Sequence, residues 1–345
     1  MTLASVSDQI TQLLPGRWWT RWCFSGLRNR QQFSSPLLTR KEILDLRYRV
    51  EQDRASSVYR HEVEHRTLGE VRSVYRGYGM DYDESRPYFP GDELRFMNWR
   101  VTARTGEPHM KVFREERKPA VFIVVDRRHN MRFGTRRRLK VTQAVRAAAI
   151  TAFDARLRNS PVAGVLLETL LETRLKSNLT WIAETSNEAG VFNFIHAANK
   201  PCPPSVSVEK IPESGEFTEQ SLSHVIKLLT PMLAQGSSVV LISDFHDLDD
   251  NCRSSLIELS MTHHLKAIHV IDPVEKKLPA CGSLLLQSDE QSTTGINSSD
   301  KKISTEYQTA AASYLESKQE LFRSLGIPCH SLMTDDDSIE PMIEV

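Results

Sequence analysis

The sequence predicts an α/β protein built on a doubly wound, mostly parallel sheet, with a small β-rich region added ahead of it. Three observations carry this expectation. Val121–Val125 (VFIVV) is an unbroken apolar run that ends at Asp126, the pattern of a strand buried on both faces of a parallel sheet. The pattern recurs in SSVVLISDF (237–245), which reaches Asp244, and in KAIHVID (266–272), which ends at Asp272. Segments with apolar residues at helical spacing lie between these runs, and alternation of strand and helix implies helices on both faces. An aspartate at the carboxyl end of such a strand stands in the crevice where open α/β sheets place ligands. Its alternative duty is to cap the helix that follows.

In chain order, residues 1–55 read as a helical or irregular lead-in. SDQITQLL has helical spacing, and Thr39 caps a helix carrying Ile43, Leu44 and Leu46. Residues 56–119 read as extended, with polar and apolar residues alternating and turns at Pro87, Pro90 and Gly91; HMKVFREER resumes the alternation. Residues 120–335 form the α/β domain. After the strand at Val121, Leu139–Arg158 is helical, and its small residues (Ala148, Ala152, Ala155) let it lie close on the sheet. VAGVLLE (162–168) and LTWIAE (179–184) read as strands and GVFNFIHAA (190–198) as a short helix. A further helix carries Leu222, Val225, Ile226, Leu229 and Leu233, with Thr218 as its cap and Gly236 past its end. Next come a helix over 253–263, a hairpin around GSLLLQSD and DEQSTTGINSSD, a last helix over 303–325 and a tail from 336.

The 345 residues are 40% hydrophobic and 26% charged, as in a globular protein, and no apolar run is long enough to span a membrane. The N-terminus lacks the order of a signal peptide, so the expected location is cytoplasmic. Trp18, Trp19 and Trp22 read as packing on their own domain. Five cysteines without a CxxC signal neither a disulfide framework nor a zinc knuckle. The zero net charge hides an asymmetry. Residues 121–160 carry 10 Lys and Arg against 2 Asp and Glu, whereas residues 161–345 carry 13 against 26. Arg127, Arg128, Arg132, Arg136, Arg137, Arg138 and Lys140 crowd one loop and a helix start, where cations oppose the helix dipole. Such a cluster fits an anionic partner or the chain's own acidic half.

RGYGMDYDESRPYFPGDELRFMNWRVTARTGEPHMKVFREERKPAVFIVVD (76–126) resembles the signature of a bacterial family known as domain of unknown function fifty-eight. Looser agreement runs through LISDF, DPVEKKLP and the last helix, covering about 60–335. The resemblance implies a von Willebrand factor A-like fold from the VVD strand onward. It also implies work beside a MoxR-type AAA+ ATPase in the assembly or maturation of other proteins, with no established enzymatic activity.

Under that resemblance the chemistry of the fold lies in a metal-ion-dependent adhesion site. An aspartate and two hydroxyls follow the first strand, a threonine comes from a later loop and an aspartate follows the fourth strand. The donors are hard oxygens, which suits magnesium. Here the motif is Asp126-Arg127-Arg128-His129-Asn130, with Arg128 and Asn130 in the hydroxyl positions. Asp244 matches the late aspartate, and Thr218 or Ser221 offers a hydroxyl. The expected site is therefore a degenerate one that binds a protein partner through Asp126, Arg128, Asn130 and Asp244. Arg128 stands in for the cation; any magnesium would fall to Asp126, Asn130 and Asp244, and no cofactor is expected. The signature residues Gly79, Asp81, Asp83, Arg86, Pro87, Tyr88, Pro90, Gly91, Asp92, Arg95, Trp99 and Arg104 read as a buried ion-pair and turn network. The resulting expectation is a non-enzymatic scaffold or adaptor for a MoxR-type ATPase or its client. Its rivals are an anion or nucleic-acid binder using Arg127–Arg138, which the sparse aromatics disfavour, and a metal-dependent hydrolase using the acidic signature.

Overall fold

A computed structural model describes residues 36–67, 81–114, 120–169, 177–202, 221–234, 236–287 and 293–338. The tryptophans at 18, 19 and 22, Gly79 and Thr218 lie outside them. The chain divides into two compact units, Ser56–Lys118 and the remainder.

The larger unit is a six-stranded sheet. Its strands are β3 (Val121–Arg127), β4 (Val162–Thr169), β5 (Ser177–Thr185), β6 (Ser238–Ser243), β7 (His264–Ile271) and β10 (Cys329–Met333). They lie in the order β10-β7-β6-β3-β4-β5, parallel except for the edge strand β5, which runs antiparallel to β4. The mixed α/β architecture with a mostly parallel sheet follows the sequence expectation, and β3 and β6 are adjacent central strands.

The period of two along β3 sorts its side chains to opposite faces. Val121, Ile123 and Val125 enter one core with α3 (Lys140–Leu157) and α4 (Glu188–Ala198). Leu46 and Val50 of α1 (Arg40–Thr67) join the same core. Phe122 and Val124 enter the other, with α5 (Leu222–Leu229), α6 (Asp250–Ser260) and Phe322 of α8 (Lys301–Ser324). The short α7 (Pro273–Lys276) starts on an Asp272 cap. The alanines of α3 are buried against the sheet. At Gly164 of β4 a Cβ would lie 2.5 Å from the Ile123 carbonyl oxygen and 2.7 Å from the Phe194 ring, so only glycine fits.

Several boundaries differ from the sequence reading. The helix α1 opens with the Thr39–Glu42 capping box, Glu42 N donating to Thr39 Oγ1 at 3.2 Å, but continues to Thr67 through residues expected to be extended. Its sequence holds no glycine or proline before Gly69, so nothing stops it. The helix α5 is capped by Ser221, which accepts from His224 N, and its α-helical span ends at Leu229. Thr230 keeps helical geometry as the C-cap (φ −47°, ψ −49°), and Pro231, with no backbone N–H to donate, withholds the next bond of the helix. The stretch CHSLM, left unassigned from sequence, is the edge strand β10, paired in parallel with β7. The hairpin read near residue 283 is β8 (Ser283–Gln287) with β9 (Thr293–Asn297).

The unit Ser56–Lys118 holds an antiparallel pair, β1 (Asp81–Pro87) with β2 (His109–Arg114). Between them lie a 3-10 turn at Leu94–Phe96 and the helix α2 (Trp99–Thr105), which the extended reading of this block missed. Asn98 organises this unit. Its side chain caps α2 at Val101 N and donates to Ser85 Oγ at 2.8 Å, while its backbone N–H donates to His109 O at 2.7 Å.

Candidate functional site

Pairing of Val125 with Ile242 brings the ends of β3 and β6 to one edge of the sheet, so Asp126 and the Ser243–Asp244 turn emerge side by side. Asp126 is fully buried. Its Oδ1 accepts from the backbone N–H of Arg128 at 2.9 Å, a local turn that folds the chain back over the carboxylate. Arg128, 1% exposed, completes the contact with a two-pronged pair: Nε to Oδ1 at 3.0 Å and Nη2 to Oδ2 at 2.7 Å. Ser243 Oγ donates to the same Oδ2 at 2.7 Å. The rest of the guanidinium reaches Asp247, Nη1 to Oδ2 at 2.7 Å. That oxygen also accepts the first backbone N–H of α5, from Leu222 at 2.8 Å. Burial alone would lower the Arg128 pKa, but the two carboxylates hold it well above its ordinary value.

A second cation sits beside the first. Lys140, the first residue of α3, buries its ammonium between Asp244 Oδ2 at 2.7 Å and Glu275 Oε1 at 2.8 Å. Asp244 Oδ1 lies 2.9 Å from His246 Nδ1. Although burial opposes ionisation, Lys140 and His246 together hold Asp244 well below the usual carboxylate range. Glu275 shares the same lysine, yet burial and the neighbouring Asp244 leave it above that range. The opposite shifts are physically consistent, because Asp244 has two cationic neighbours and Glu275 has one. His246 is raised: desolvation would lower it, and Asp244 overcomes that. Between these groups Phe245 takes a left-handed backbone (φ 51°), rare for a bulky residue. Its ring packs edge-on to Phe322 at 4.8 Å, and its carbonyl accepts from Lys318 of α8.

Asp126, Asp244 and His246 bring three potential ligand atoms within 4.8 Å of one another. These residues do not fit a divalent metal. Both Asp126 oxygens already accept from Arg128, and the facing Asp244 oxygen accepts from the Lys140 ammonium. A dication there would lie beside two fixed, buried positive charges. Asn130 lies in a 3-10 turn (His129–Arg132), and none of the hydrogen bonds of the two aspartates reaches it. Ser221 caps α5 rather than facing the pair. The Asp272 carboxylate is a cap as well: it accepts from Val274 N at 3.1 Å, Thr135 N at 2.8 Å and Thr334 Oγ1 at 2.9 Å.

The expectation that Arg128 offers a free fork to a partner needs correction, since Asp126 and Asp247 take both of its edges. The basic cluster is likewise largely engaged within the chain. Arg127 projects to the opposite face, donating to the carbonyls of Ala197 at 3.0 Å and Lys200 at 2.7 Å and pairing with Glu168. Arg138 pairs with Asp337, leaving Arg136 and Arg137 as its exposed arginines, and Arg137 also meets Asp337. The sequence reading does not single out Asp247, Glu275 or Ser243, and it takes Lys140 only as a member of the basic cluster. Lys140 and Asp244 are 104 residues apart, and a single sequence holds no signal for that pairing.

In the smaller unit the signature residues divide. Arg86 and Asp92 form a two-pronged pair at 2.8 and 2.7 Å, and Asp92 also accepts from Phe89 N, closing the turn that contains Pro90 and Gly91 (φ 110°). Tyr88 N donates to Pro108 O at 2.9 Å, and Asp81 and Asp83 lie on β1. Arg95 pairs with Glu93 and lies over the Phe96 ring. Trp99 and Arg104 do not belong to a buried network. Asn98, Val101 and Thr102 take the hairpin side of α2, with His109 N donating to Thr102 Oγ1 at 3.0 Å. That turns Trp99, Arg100 and Arg104 outward. Trp99 is 69% exposed, and Phe89 and Leu94 are exposed near it in sequence.

The profile of the family described as "Protein of unknown function DUF58" matches residues 84–317, and the chain belongs to that family. An uncharacterized protein of Mycobacterium bovis is 27% identical over 275 residues, 80% of this chain and 81% of its own length. One of Mycobacterium avium is 32% identical over 116 residues, 34% of this chain and 68% of its own. Among solved structures, an aerotolerance-related membrane protein of Bacteroides fragilis aligns over 65% of this chain and 95% of its own, at 10% identity and a TM-score of 0.37. The conserved hypothetical protein BatB of Bacteroides thetaiotaomicron aligns over 61% and 99%, at 13% identity and a TM-score of 0.34. No helix among the described residues is long and apolar enough to cross a membrane.

Proposed function

We propose that this member of the family is a non-enzymatic, von Willebrand factor A-like adaptor. In this reading it binds protein partners and works with a MoxR-type AAA+ ATPase in assembling or maturing other proteins. The observation that carries the reading is the fate of the crevice: its two aspartates are neutralised by Arg128 and Lys140, not left open to a metal or substrate. The crevice then serves as a fixed strut that holds the 244–247 loop, with His246 beside Asp244 only partly exposed. The recognition surface is the outward side of α2 and the turn before it. Trp99 is an exposed aromatic anchor there, and Arg100 and Arg104 make no ion pair among the described residues. Trp and Arg are the residue types that dominate interface energetics.

The test is co-purification of the tagged chain with the MoxR-type ATPase from the same genome, with and without ATP, followed by titration. Trp99→Ala and Arg100→Glu should each weaken binding about tenfold or more while leaving the fold intact by circular dichroism. EDTA should leave nucleotide-free wild-type binding unchanged. Absence of any complex with or without ATP, or nucleotide-free binding abolished by EDTA, would overturn the reading.

A further inference from the structure

In the larger unit, the chain after β10 sits in a basic site that its own charges satisfy only in part. Thr334, just past the strand, is still anchored to the sheet, its N–H on Ile271 O at 3.0 Å and its hydroxyl on Asp272 at 2.9 Å. Beyond it the tail meets the loop before α3 and the helix itself. Arg137 Nη1 and Arg138 Nη2 each reach the Asp337 carboxylate at 2.5 Å, and Arg146 Nη2 lies 3.5 Å from it. Gln143, three residues before Arg146 on α3, donates through Nε2 to Asp336 O at 2.8 Å and to Met333 O at 3.0 Å. Arg138 Nη1 donates to the same Asp336 carbonyl at 3.3 Å. The site thus reads a peptide twice, at a backbone carbonyl and at the carboxylate of the next residue.

Two observations show that the tail fits this site incompletely. Three guanidiniums face one carboxylate, and the side chains of Arg138 and Arg146 are only 7% exposed. Burial and the neighbouring Arg138 hold Arg146 below its ordinary pKa, and Asp337 does not restore it. The charges that face Arg146 from α1 do not make up the deficit: Glu42 is engaged by Thr39, and Arg49, a like charge, pairs with Asp45. Arg136 beside the site is exposed and makes no ion pair among the described residues. Nor do the tail's other aspartates help, since Asp335 makes no ion pair among those residues and Asp336 Oδ1 turns back onto Ser338 N at 2.8 Å. The second observation is Gln143 Oε1, which is buried and meets no donor among the described residues. Folded interiors rarely leave such an acceptor unpaired. A peptide that brings a further carboxylate and an N–H for Gln143 completes the site better than the tail does. The tail is also a weak occupant, because its carboxylate is 46% exposed and such ion pairs contribute little. We propose that Arg137, Arg138, Gln143 and Arg146 form a receptor for an acidic peptide segment of a partner protein, which the chain's own tail occupies in cis until it is displaced. The site is independent of the α2 surface.

Fluorescence anisotropy with a labelled peptide of residues 335–340 (DDDSIE) and the full chain tests this. Asp337→Asn loosens the resident tail, so that variant should bind the peptide about tenfold more tightly than the wild type does. Adding Arg137→Gln, at a side chain 63% exposed, should cost about fivefold of that affinity while circular dichroism shows the fold unchanged. A peptide with asparagine in place of Asp337 should bind about fivefold more weakly, whereas asparagine in place of Asp335 should matter less than about twofold. An Asp337→Asn chain that binds the peptide no better than the wild type would overturn the proposal, because the contact would then be a permanent clasp. So would equal losses from the two peptide substitutions, which would reduce the site to a general attraction for polyanions.

Discussion

Replacing Lys140 with methionine removes the buried ammonium while roughly preserving its volume, and the consequence can be worked through. Asp244 keeps His246, but Glu275 loses its cation, and two carboxylates remain in a buried site. Breaking a buried pair by deleting one partner costs about 3–5 kcal/mol. For a unit of this size each kilocalorie lowers the melting temperature by about 2–4 °C, so a fall of roughly 6–20 °C is expected. The pH dependence carries more information than the magnitude. In the wild type Asp244 is held down, so its contribution is present above the unfolded carboxylate pKa and is lost as pH falls through the lower folded value. Without Lys140 burial dominates at both carboxylates and raises them in the folded state. Their contribution is then present below the unfolded pKa and lost as pH rises through the folded one. The deficit of Lys140→Met should therefore shrink between pH 8 and pH 5 in urea unfolding followed by circular dichroism. Adding Glu275→Gln should recover part of the loss. A deficit below about 1 kcal/mol that is flat across that range would refute the reasoning.

The remaining expectations concern neighbouring groups. Arg128→Ser leaves Asp126 and Asp247 without their shared cation; it should cost about 3–5 kcal/mol, and millimolar magnesium should raise the melting temperature of the variant but not of the wild type. His246 is raised by Asp244, so its contribution is complete below the unfolded histidine pKa and is lost as pH rises through the folded one. His246→Gln should flatten the stability profile on the alkaline side of neutrality, and a ring titration by NMR at or below the ordinary histidine value would contradict this. Gly164→Ala forces a Cβ against the Ile123 carbonyl and the Phe194 ring; it should cost about 1–3 kcal/mol by denaturant midpoint, and a neutral result would mean the strands separate more easily than the packing implies.

The parts of this fold legible from sequence are those in which one local pattern has one structural solution. Val121–Val125 could only be a two-faced buried strand, and the repetition of that run before Asp244 placed both aspartates at the same sheet edge. β10 was not legible because it is an edge strand: of CHSLM only Leu332 is buried, so no apolar run announces it. The ends of α1 and α5 depended on how far a helix runs, which tertiary packing and one proline decide. In the site, Arg128 was visible because it interrupts a motif. Its partner Asp247 and the role of Lys140 were not, because pairings across 119 and 104 residues leave no trace in local spacing. Lys140 looked like one member of a basic cluster, although its ammonium belongs to the acidic half of the chain. Trp99 was misplaced for a related reason: whether a residue on a seven-residue helix faces in or out depends on which neighbours take the inner side, and here Asn98 and Thr102 do.

Those long separations also bear on the order in which the molecule assembles. Arg128 and Lys140 must give up their water to pair with Asp247 and Asp244, and a lone ion pair closing a loop of more than a hundred residues cannot compensate that loss while the chain is open. The parallel alignment of β3 with β6 has to come first, driven by Val124, Leu241 and their apolar neighbours. On that order the charged network is expected to close on a sheet already in register, late on the folding route and early on the unfolding one. Interactions absent from the rate-limiting ensemble act on the lifetime of the native state and leave its rate of formation nearly untouched. The two internal cations are therefore expected to act as a latch: Arg128→Ser and Lys140→Met should speed unfolding in urea-jump kinetics and leave the folding rate nearly unchanged.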